Sequence, residues 1–308
     1  MCAGGLSYYF AHHLLQIFEI TDEWMERQLL TFAGIATVCD IVDLLGENRA
    51  LVQMGLAEIR KTENIGLRVL IEEAGLSDKV ISEYHIGFII GPCINATGRL
   101  ESGRLAVELF CTQDEKEARE KARHLVMLNA ERKQLTEEAA ERADIALQEG
   151  GALQDRVLVL YDAEIHESIA GIVAGRIKDK YYRPTILITD SEDGAKGSGR
   201  SIEGYHLFEA LFANRDLFTR FGGHAMAAGL SLPVENIPVL RRRLNEGCTL
   251  TEEQMIPILR LEEALSFAEI DLGLAKELQT LAPFGKGNPA PLFASKGIHA
   301  DRVDLIGK

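Results

Sequence analysis

Long apolar runs and paired cysteines are missing from this sequence. No apolar run approaches the roughly 18 residues that a membrane-spanning helix needs, and residues 1–5, MCAGG, carry no basic segment of the kind that opens a secretory signal. The five cysteines are scattered, odd in number and without Cys-x-x-Cys spacing, which argues against a disulfide or zinc framework. We therefore expect a soluble cytoplasmic protein with no membrane partner.

Positive charge and aromatic side chains are also scarce. The formal net charge is −14, which argues against a nucleic-acid binder that works by bulk electrostatics but leaves room for a local basic groove. The charge is uneven, since residues 111–155 have a net charge of −4 and residues 176–224 a net charge of +1. Aromatic residues make up only 6% of the chain, so the composition singles out no base-stacking residues.

The patterns that are present predict a mixed α/β protein of 308 residues, long enough for two or three domains. Residues 29–42 are rich in apolar and β-branched side chains and predict a buried strand ending near Asp40. Glycines and a proline between Gly87 and Arg99 predict a break between regular elements. Further expected elements are helices over 47–75, 113–149, 169–180 and 236–247, strands over 156–161 and 184–189, and a turn at 283–289 followed by a strand at 291–294.

Two glycine-rich segments give the clearest functional signal. Residues 221–229, FGGHAMAAG, carry Gly222, Gly223 and His224, and residues 196–201, KGSGRS, carry Arg200 and Ser201. We interpret both segments as turns whose glycines allow positive φ and expose amides to an anion. His224 can donate to a phosphate oxygen and Arg200 can pair with one. The alternative is that both turns only link strands.

Four further residues are candidates for binding or catalysis. At the expected strand end Asp40 could hold Mg²⁺ or Mn²⁺, which prefer oxygen ligands, or it could cap a helix. Asn95 and Arg99 lie in GPCINATGRL, where the guanidinium matches phosphate oxygens unless it pairs with a nearby glutamate. His166 follows an expected strand and can reach a substrate, whereas Glu167 or Ser168 is expected to cap the next helix.

These segments occur in the order expected of one family. TVCDIVDL, GPCINATGRL, GIVAGRI, KGSGRSIEG, RFGGHAMAAGLSL and LAPFGKGNPAPLF together resemble RecJ, the bacterial single-stranded-DNA-specific 5′→3′ exonuclease family of the DHH phosphoesterase superfamily. The resemblance covers nearly the whole chain, and its most specific parts are the glycine-histidine segment and PFGKGNP. The latter distinguishes RecJ from shorter relatives that degrade oligoribonucleotides or cyclic dinucleotides.

The resemblance implies a domain order and a metal-dependent reaction. Residues 1–110 would be the C-terminal part of a DHH catalytic domain, 111–153 a connecting helix, 154–250 a DHH-associated substrate-binding domain and 251–308 the start of an OB-fold that binds nucleic acid. Two divalent ions, Mn²⁺ or Mg²⁺, would activate a water for hydrolysis of single-stranded DNA from its 5′ end, in DNA repair and recombination. A single-stranded-DNA-binding protein and a helicase are the implied protein partners.

The resemblance also assigns roles to the candidate residues. Asp40 would be the last metal-ligand aspartate, and Asn95 and Arg99 would lie near the DNA backbone. Residues implied to contact the substrate are His166, Arg200, Ser201, Gly222, Gly223 and His224.

The sequence departs from the family in lacking the Asp-x-Asp and Asp-His-His motifs that normally precede the segment beginning here at Met1. It reads as an internal piece of a longer protein, with most of the OB-fold missing, and we expect it to be inactive alone. Two alternatives stay open. One is an oligoribonuclease or cyclic-dinucleotide phosphodiesterase, and the other is a non-catalytic single-stranded nucleic-acid-binding member of the superfamily.

Overall fold

Helices make up the first half of the chain, and a sheet organises the second half. The computed structural model describes residues 1–192, 194–299 and 301–305. The chain divides into two compact units, the first formed by Met1–Asn95, Arg104–Val126 and Leu259–Lys308, and the second by Ala96–Gly103 and Met127–Ile258. The expected mixed α/β class is confirmed.

The regular elements are numbered here in chain order. The helices are α1 Ala3–Ile17, α2 Glu23–Cys39, α3 Gly46–Ile59, α4 Ile65–Glu73, α5 Glu83–His85, α6 Gly91–Leu100, α7 Arg104–Cys111, α8 Glu115–Glu149, α9 Glu167–Tyr181, α10 Leu207–Ala213, α11 Ile237–Glu246 and α12 Leu272–Gln279, with a π-helical turn at Ile86–Ile90 between α5 and α6. The strands are β1 Leu158–Tyr161, β2 Thr185–Ser191, β3 Gly194–Arg200, β4 Arg220–Gly223, β5 Ala227–Leu232, β6 Glu263–Ala264 and β7 Phe293–Ala294.

The prediction of a strand over residues 29–42 is wrong, because this segment lies in helix α2 and the turn after it. Its buried side chains include Leu30, Ala33 and Thr37, which recur at the three- and four-residue spacing of one helix face. At the N-terminus of α2, the Asp22 side chain accepts a hydrogen bond from the Met25 amide. Asp40 therefore follows a helix, as its C-cap residue, and does not end a strand.

The break expected between Gly87 and Arg99 is also wrong. This stretch is helical, first as the π-helical turn and then as α6. Pro92 is the second residue of α6, directly after the π-helical turn. The expected helix over 47–75 is instead two helices, because the chain turns at residues 60–64 and Asn64 then caps α4.

The long helix expected over residues 113–149 is confirmed as α8. One end of its apolar stripe, with Ala118, Ala122 and Leu125, is buried in the helical core of the first unit. Further along, Leu147 and the alanines at 139 and 143 are buried in the core of the second unit. No helix among the described residues is long and apolar enough to span a membrane.

The second unit is built on a five-stranded sheet with strand order β1-β2-β3-β5-β4. Strands β1 and β2 are parallel and joined through helix α9, as expected, and the remaining neighbours are antiparallel. Along β1 and β2 the side chains alternate between two cores, with Val159 on one face and Leu158 and Leu160 on the other. Helix α9 packs on the second face, and α10 and α11 contribute to the first.

The segment of residues 196–201, expected to be a turn, is instead strand β3 and the residue after it. Gly197 and Gly199 thus have extended backbone inside the sheet. Of the four glycines expected to take positive φ, only Gly223 does so, at 149°. The prediction that both segments are turns exposing backbone amides to an anion is therefore wrong for residues 196–201.

The last part of the described chain contains the expected turn, closed by a bridge between Gly285 and Asn288, and the short strand β7. Strand β7 pairs in parallel with β6. Residues 300 and 306–308 of the region expected to begin an OB-fold lie outside the described residues.

Candidate phosphate-binding site

Arg99 lies in the last turn of α6, and its guanidinium reaches the first turn of α9. Its Nη1 donates a hydrogen bond to the Ser168 carbonyl oxygen at 2.6 Å. The side chain is exposed, and this bond holds it beside α9. The alternative pairing of Arg99 with Glu101 or Glu108 is not among the described ion pairs, in which Glu108 pairs instead with Arg104 and Lys121.

Arg200 is the last residue of β3 and lies against the same helix. Its Nη1 donates to Ser198 Oγ at 3.1 Å and to the Gly199 carbonyl oxygen at 2.8 Å. A Cβ placed on Gly171 of α9 would lie 2.6 Å from Arg200 Nη2 and 2.8 Å from Ser198 Oγ. The absence of a side chain at position 171 therefore creates the space in which the guanidinium lies.

The electrostatics around Arg200 favour an anion. Burial lowers the pKa of its partly buried guanidinium, and the positive charge of Arg99 lowers it further. Among the described residues neither arginine forms an ion pair with a carboxylate. A phosphate bound near both guanidiniums would relieve their repulsion and accept their hydrogen bonds.

His166 caps helix α9, the role that was expected of Glu167 or Ser168. Its Nδ1 accepts the Ser168 amide at 3.3 Å and lies 2.7 Å from Ser168 Oγ. In a neutral imidazole whose Nδ1 accepts a hydrogen bond, Nε2 carries the proton and is a donor. His166 thus presents a donor at the N-terminus of α9, where the helix dipole also favours an anion.

His224 lies in the hairpin between β4 and β5, next to the end of β3. Arg200 pairs with Ala227 in the sheet, so the hairpin turn lies beside the residue that carries the partly buried guanidinium. His224 is exposed and its Nδ1 accepts the Met226 amide at 3.3 Å, which makes Nε2 the donor in the neutral ring. Gly223 allows this turn, because a Cβ there would lie 2.3 Å from the Ala227 carbonyl oxygen.

Gly222 and Ser201 take part in strand pairing and backbone hydrogen bonds. Gly222 is an exposed residue of β4 that pairs with Gly229. Ser201 is only 2% exposed, its amide donates to the Met226 carbonyl oxygen, and its hydroxyl donates to the Tyr205 carbonyl oxygen at 2.7 Å. The Ser201 amide thus bonds to the hairpin, while its buried hydroxyl bonds to the loop that follows β3.

Asp40 and Asn95 belong to the first unit and line one cleft there. We call it the Asp40 cleft; it has a volume of about 550 Å³ and is also lined by Cys39, Tyr8 and Phe32. Burial, and then the neighbouring Asp40 charge, raise the pKa of the Cys39 thiol to about 11, so this thiol stays protonated at neutral pH. Asp40 is an exposed carboxylate at the negative end of α2, where a cation would stabilise it.

The described residues do not form a complete site for the expected divalent ions. No group of three or more His, Cys, Asp or Glu side chains that could hold a metal is found among residues 1–192, 194–299 and 301–305. Asp43, which is near Asp40 in sequence, pairs with Lys286 at 3.2 Å. Because Mg²⁺ and Mn²⁺ need several oxygen ligands, Asp40 alone cannot complete a site for such an ion.

Two contributors to the arginine site were missed in the sequence. Ser198 lies in the KGSGRS segment, but the sequence analysis chose Ser201 of this segment as the candidate and not Ser198. The period-two geometry of a strand offered a signal, because residues 198 and 200 share one face of β3. Gly171 gave no comparable signal, since its role depends on which side chain approaches it in the folded chain.

Two domain families match this chain. A DHHA1 domain matches residues 154–249, and a RecJ OB domain matches residues 261–308. The chain is 39% identical over 307 residues to the single-stranded-DNA-specific exonuclease RecJ of Bacillus subtilis, covering 98% of this chain and 38% of that protein. It is 35% identical to the enzyme of the same name from Escherichia coli, covering 86% of this chain and 48% of that protein.

Solved structures give the same likeness. The crystal structure of RecJ in complex with Mn²⁺ from Thermus thermophilus matches with a TM-score of 0.78 and 32% identity, over 91% of this chain and 41% of that one. A crystal structure of exonuclease RecJ bound to manganese matches with a TM-score of 0.64 and 33% identity, over 76% of this chain and 57% of that one. The chain thus spans between about two fifths and three fifths of these relatives.

Proposed function

Because this chain belongs to the RecJ family of DHH phosphoesterases, we propose that it serves a 5′→3′ exonuclease that hydrolyses single-stranded DNA. In this proposal the second unit holds the phosphate at the 5′ end of the DNA. Arg99 and Arg200 supply the positive charge, and Ser198, His166 and His224 supply further donors. Two domain matches and the named relatives support the proposal.

The observation that carries this proposal is the arginine pair beside α9. Two guanidiniums lie close enough for the charge of Arg99 to lower the pKa of Arg200, and Gly171 leaves room for the second of them. A terminal phosphate carries more negative charge than an internal phosphodiester, so such a site prefers a 5′-phosphorylated end.

Hydrolysis itself is proposed to use Mn²⁺ or Mg²⁺, which the related crystal structures contain. When bound, such an ion supplies a water of lowered pKa and stabilises charge on phosphorus. In this chain Asp40 would give an oxygen ligand, and among the described residues it belongs to no group of three or more His, Cys, Asp or Glu side chains that could hold the ion. The contribution of the described residues is therefore to bind and orient the DNA.

The cellular setting is part of the same proposal. Work on single-stranded DNA suits repair and recombination in the cytoplasm, with a single-stranded-DNA-binding protein and a helicase as partners. The five cysteines are all free thiols, which fits a reducing compartment. The RecJ OB match at residues 261–308 favours this proposal over an oligoribonuclease or cyclic-dinucleotide phosphodiesterase. A non-catalytic binding member of the superfamily would keep the same phosphate site.

The experiment compares two oligonucleotides of the same length and sequence, one with a 5′ phosphate and one with a 5′ hydroxyl. We expect the 308-residue chain to bind the phosphorylated strand more tightly in a fluorescence anisotropy titration. Arg200→Gln should reduce that preference by about tenfold, since charge-assisted hydrogen bonds contribute about 1.5–3 kcal/mol.

The matched control is Arg242→Gln, which removes an exposed arginine from helix α11. It lowers the net charge equally and should leave the preference for the 5′ phosphate unchanged. Equal binding of the two oligonucleotides by the unaltered chain would contradict the proposed site.

A further inference from the structure

A second cavity of the first unit carries exposed aromatic rings. It has a volume of about 690 Å³, a size typical of small-molecule sites. Tyr84 and Phe88, four residues apart, stack with ring centroids 5.0 Å apart and an interplanar angle of 27°. Their side chains are 58% and 66% exposed. We call this cavity the aromatic groove.

The opposite wall of the groove is the turn of residues 284–290, and hydrogen bonds hold it in place. The Phe284 amide donates to Glu83 Oε1 at 3.0 Å, and the Leu44 amide donates to the Lys286 carbonyl oxygen at 2.7 Å. Arg49 donates to the carbonyl oxygens of residues 281 and 282 at 2.7 and 3.0 Å. These bonds fix the wall of the groove that the turn forms.

Ile41 adds backbone strain at the rim of this groove. It has φ of 53°, and its side chain is 69% exposed. This left-handed conformation is a rare outlier for a β-branched residue. Such strain concentrates at ligand sites. Neither the strain nor the exposure of three large apolar side chains is explained by packing within the described part of the chain.

We propose that the aromatic groove binds a nucleobase of single-stranded DNA by stacking on the Tyr84–Phe88 pair. This inference rests on the proposed function, because it takes the same DNA as its ligand. The groove shares Cys39 and Asn95 with the Asp40 cleft, so it continues directly from the cleft that carries the candidate metal ligand.

The chemistry of the groove fits a base with its attached phosphate. Aromatic faces stack with any base and so give affinity without sequence preference. Lys286 lies at the rim in an exposed pair with Asp43 at 3.2 Å. Such a pair is a weak interaction in water that a phosphodiester can replace. Asn95 and Glu83 also line the groove, and the Asn95 amide can both donate to and accept from a base edge.

The test compares a single-stranded oligonucleotide with an abasic strand of equal length and equal phosphate count, by anisotropy on the 308-residue chain. The unaltered chain should bind the strand with bases more tightly. Phe88→Ala with Tyr84→Ala should reduce this discrimination by about tenfold, while the slope of affinity against salt stays the same. Phe88→Trp, which keeps a stacking face, should retain it.

Phe10→Ala is the control, because Phe10 is 67% exposed on helix α1 and does not line the groove. As a measurement that needs no variant, an oligonucleotide with 5-iodouracil should photocrosslink to Tyr84 or Phe88, identified by mass spectrometry. Unchanged discrimination in the double variant, or crosslinks only at other residues, would overturn the inference. If the unaltered chain bound neither strand, the proposed function would fail first.

Discussion

Two glycines of helix α9 differ in what an added methyl group would meet. At Gly171 a Cβ would lie 2.6 Å from Arg200 Nη2, whereas at Gly175 no atom comes within 4 Å. Replacing either glycine by alanine raises helix propensity by about 1 kcal/mol, so this contribution to the free energy of unfolding is the same for both variants. The two variants differ only in whether the Arg200 guanidinium can stay beside Ser198.

We therefore expect Gly171→Ala to weaken recognition of a 5′ phosphate without destabilising the fold. The guanidinium is the end of a flexible side chain, so it moves away rather than forcing the backbone apart. The preference for a 5′-phosphorylated over a 5′-hydroxyl strand should fall about tenfold, which corresponds to the loss of one charge-assisted hydrogen bond. Anisotropy titrations and thermal melting measure the two effects separately.

Gly175→Ala is the matched control and should keep the preference while leaving the melting temperature equal or raised. If both alanine variants lost the preference alike, the effect would come from helix propensity and not from the arginine. If neither lost it, Arg200 would not hold the phosphate.

At the scale of elements, an ion-pair network fixes the start of α8 against α4. Arg119 Nη1 pairs with Glu73 at 2.8 Å and its Nη2 with Glu72 at 2.9 Å, and Arg123 adds a bond to Glu73 at 3.1 Å. Hydrogen bonds from Arg119 and then Arg123 lower the pKa of the Glu73 carboxyl below its ordinary value. Two helices distant in sequence are thus held together by charge as well as by the buried alanines of α8.

This network predicts a pH dependence of stability. The folded-state pKa of Glu73 lies below the unfolded value near 4.3, so the folded chain binds fewer protons than the unfolded chain in that range. The stabilisation is complete above the unfolded pKa and is lost as the pH falls through the folded pKa. The melting temperature should therefore fall below about pH 5.

Arg119→Gln should make this fall shallower, because the Glu73 carboxyl would lose the hydrogen bond that contributes most to lowering its pKa. Lys116→Gln is the control, since it removes one positive charge from an exposed position of the same helix. Melting curves between pH 3 and pH 7 (roughly the interval over which carboxyl groups change charge) compare the three proteins. A fall in melting temperature that is equally steep in Arg119→Gln would contradict this role.

Helix and strand assignments show where sequence reasoning succeeds. Helix α8 was predictable because its apolar stripe repeats over 35 residues, and β1, α9 and β2 because two short apolar runs flank a helical one. Helix α2 was misread because a buried helix with β-branched side chains and a buried strand are both continuous apolar runs. The glycines of β3 suggested a turn, although close packing against Leu230 and Leu207 is what excludes larger side chains there.

The candidate site was predictable in part for the same physical reason. Arg99, Arg200 and the Gly223-His224 turn carry chemistry that glycine and charge signal locally. The contact of Arg200 with α9 depends on two segments that are distant in sequence. The stack of Tyr84 on Phe88 depends on the π-helical turn. A π-helical turn has no recognised local signature here, so the exposed ring pair could not be anticipated from composition.

At the scale of the molecule, the residues proposed to bind DNA are distinct from those that could hold a metal ion. The chain has a net charge of −14, so the DNA binding proposed here depends on a few local cations and not on the surface as a whole. The described residues contain DNA-binding candidates in both units but no group of three metal ligands. Binding and hydrolysis should therefore respond differently to divalent ions.

We expect the 308-residue chain to bind 5′-phosphorylated single-stranded DNA equally well with Mn²⁺ and with EDTA, and to release no nucleotides in either. The proposed binding depends on guanidinium, imidazole and aromatic groups, none of which needs a metal, whereas the proposed hydrolysis at two metal ions needs several carboxylates at each ion. Asp40→Asn should leave the affinity for DNA unchanged, because this exposed side chain at the end of α2 is placed to hold a cation. Release of nucleotides by the purified chain with Mn²⁺, abolished in Asp40→Asn, would contradict this expectation and require that Asp40 and the other residues of this chain complete a metal site. Binding that disappears in EDTA would instead mean that a metal bridges the protein and the phosphate, contrary to the role assigned to Arg99 and Arg200.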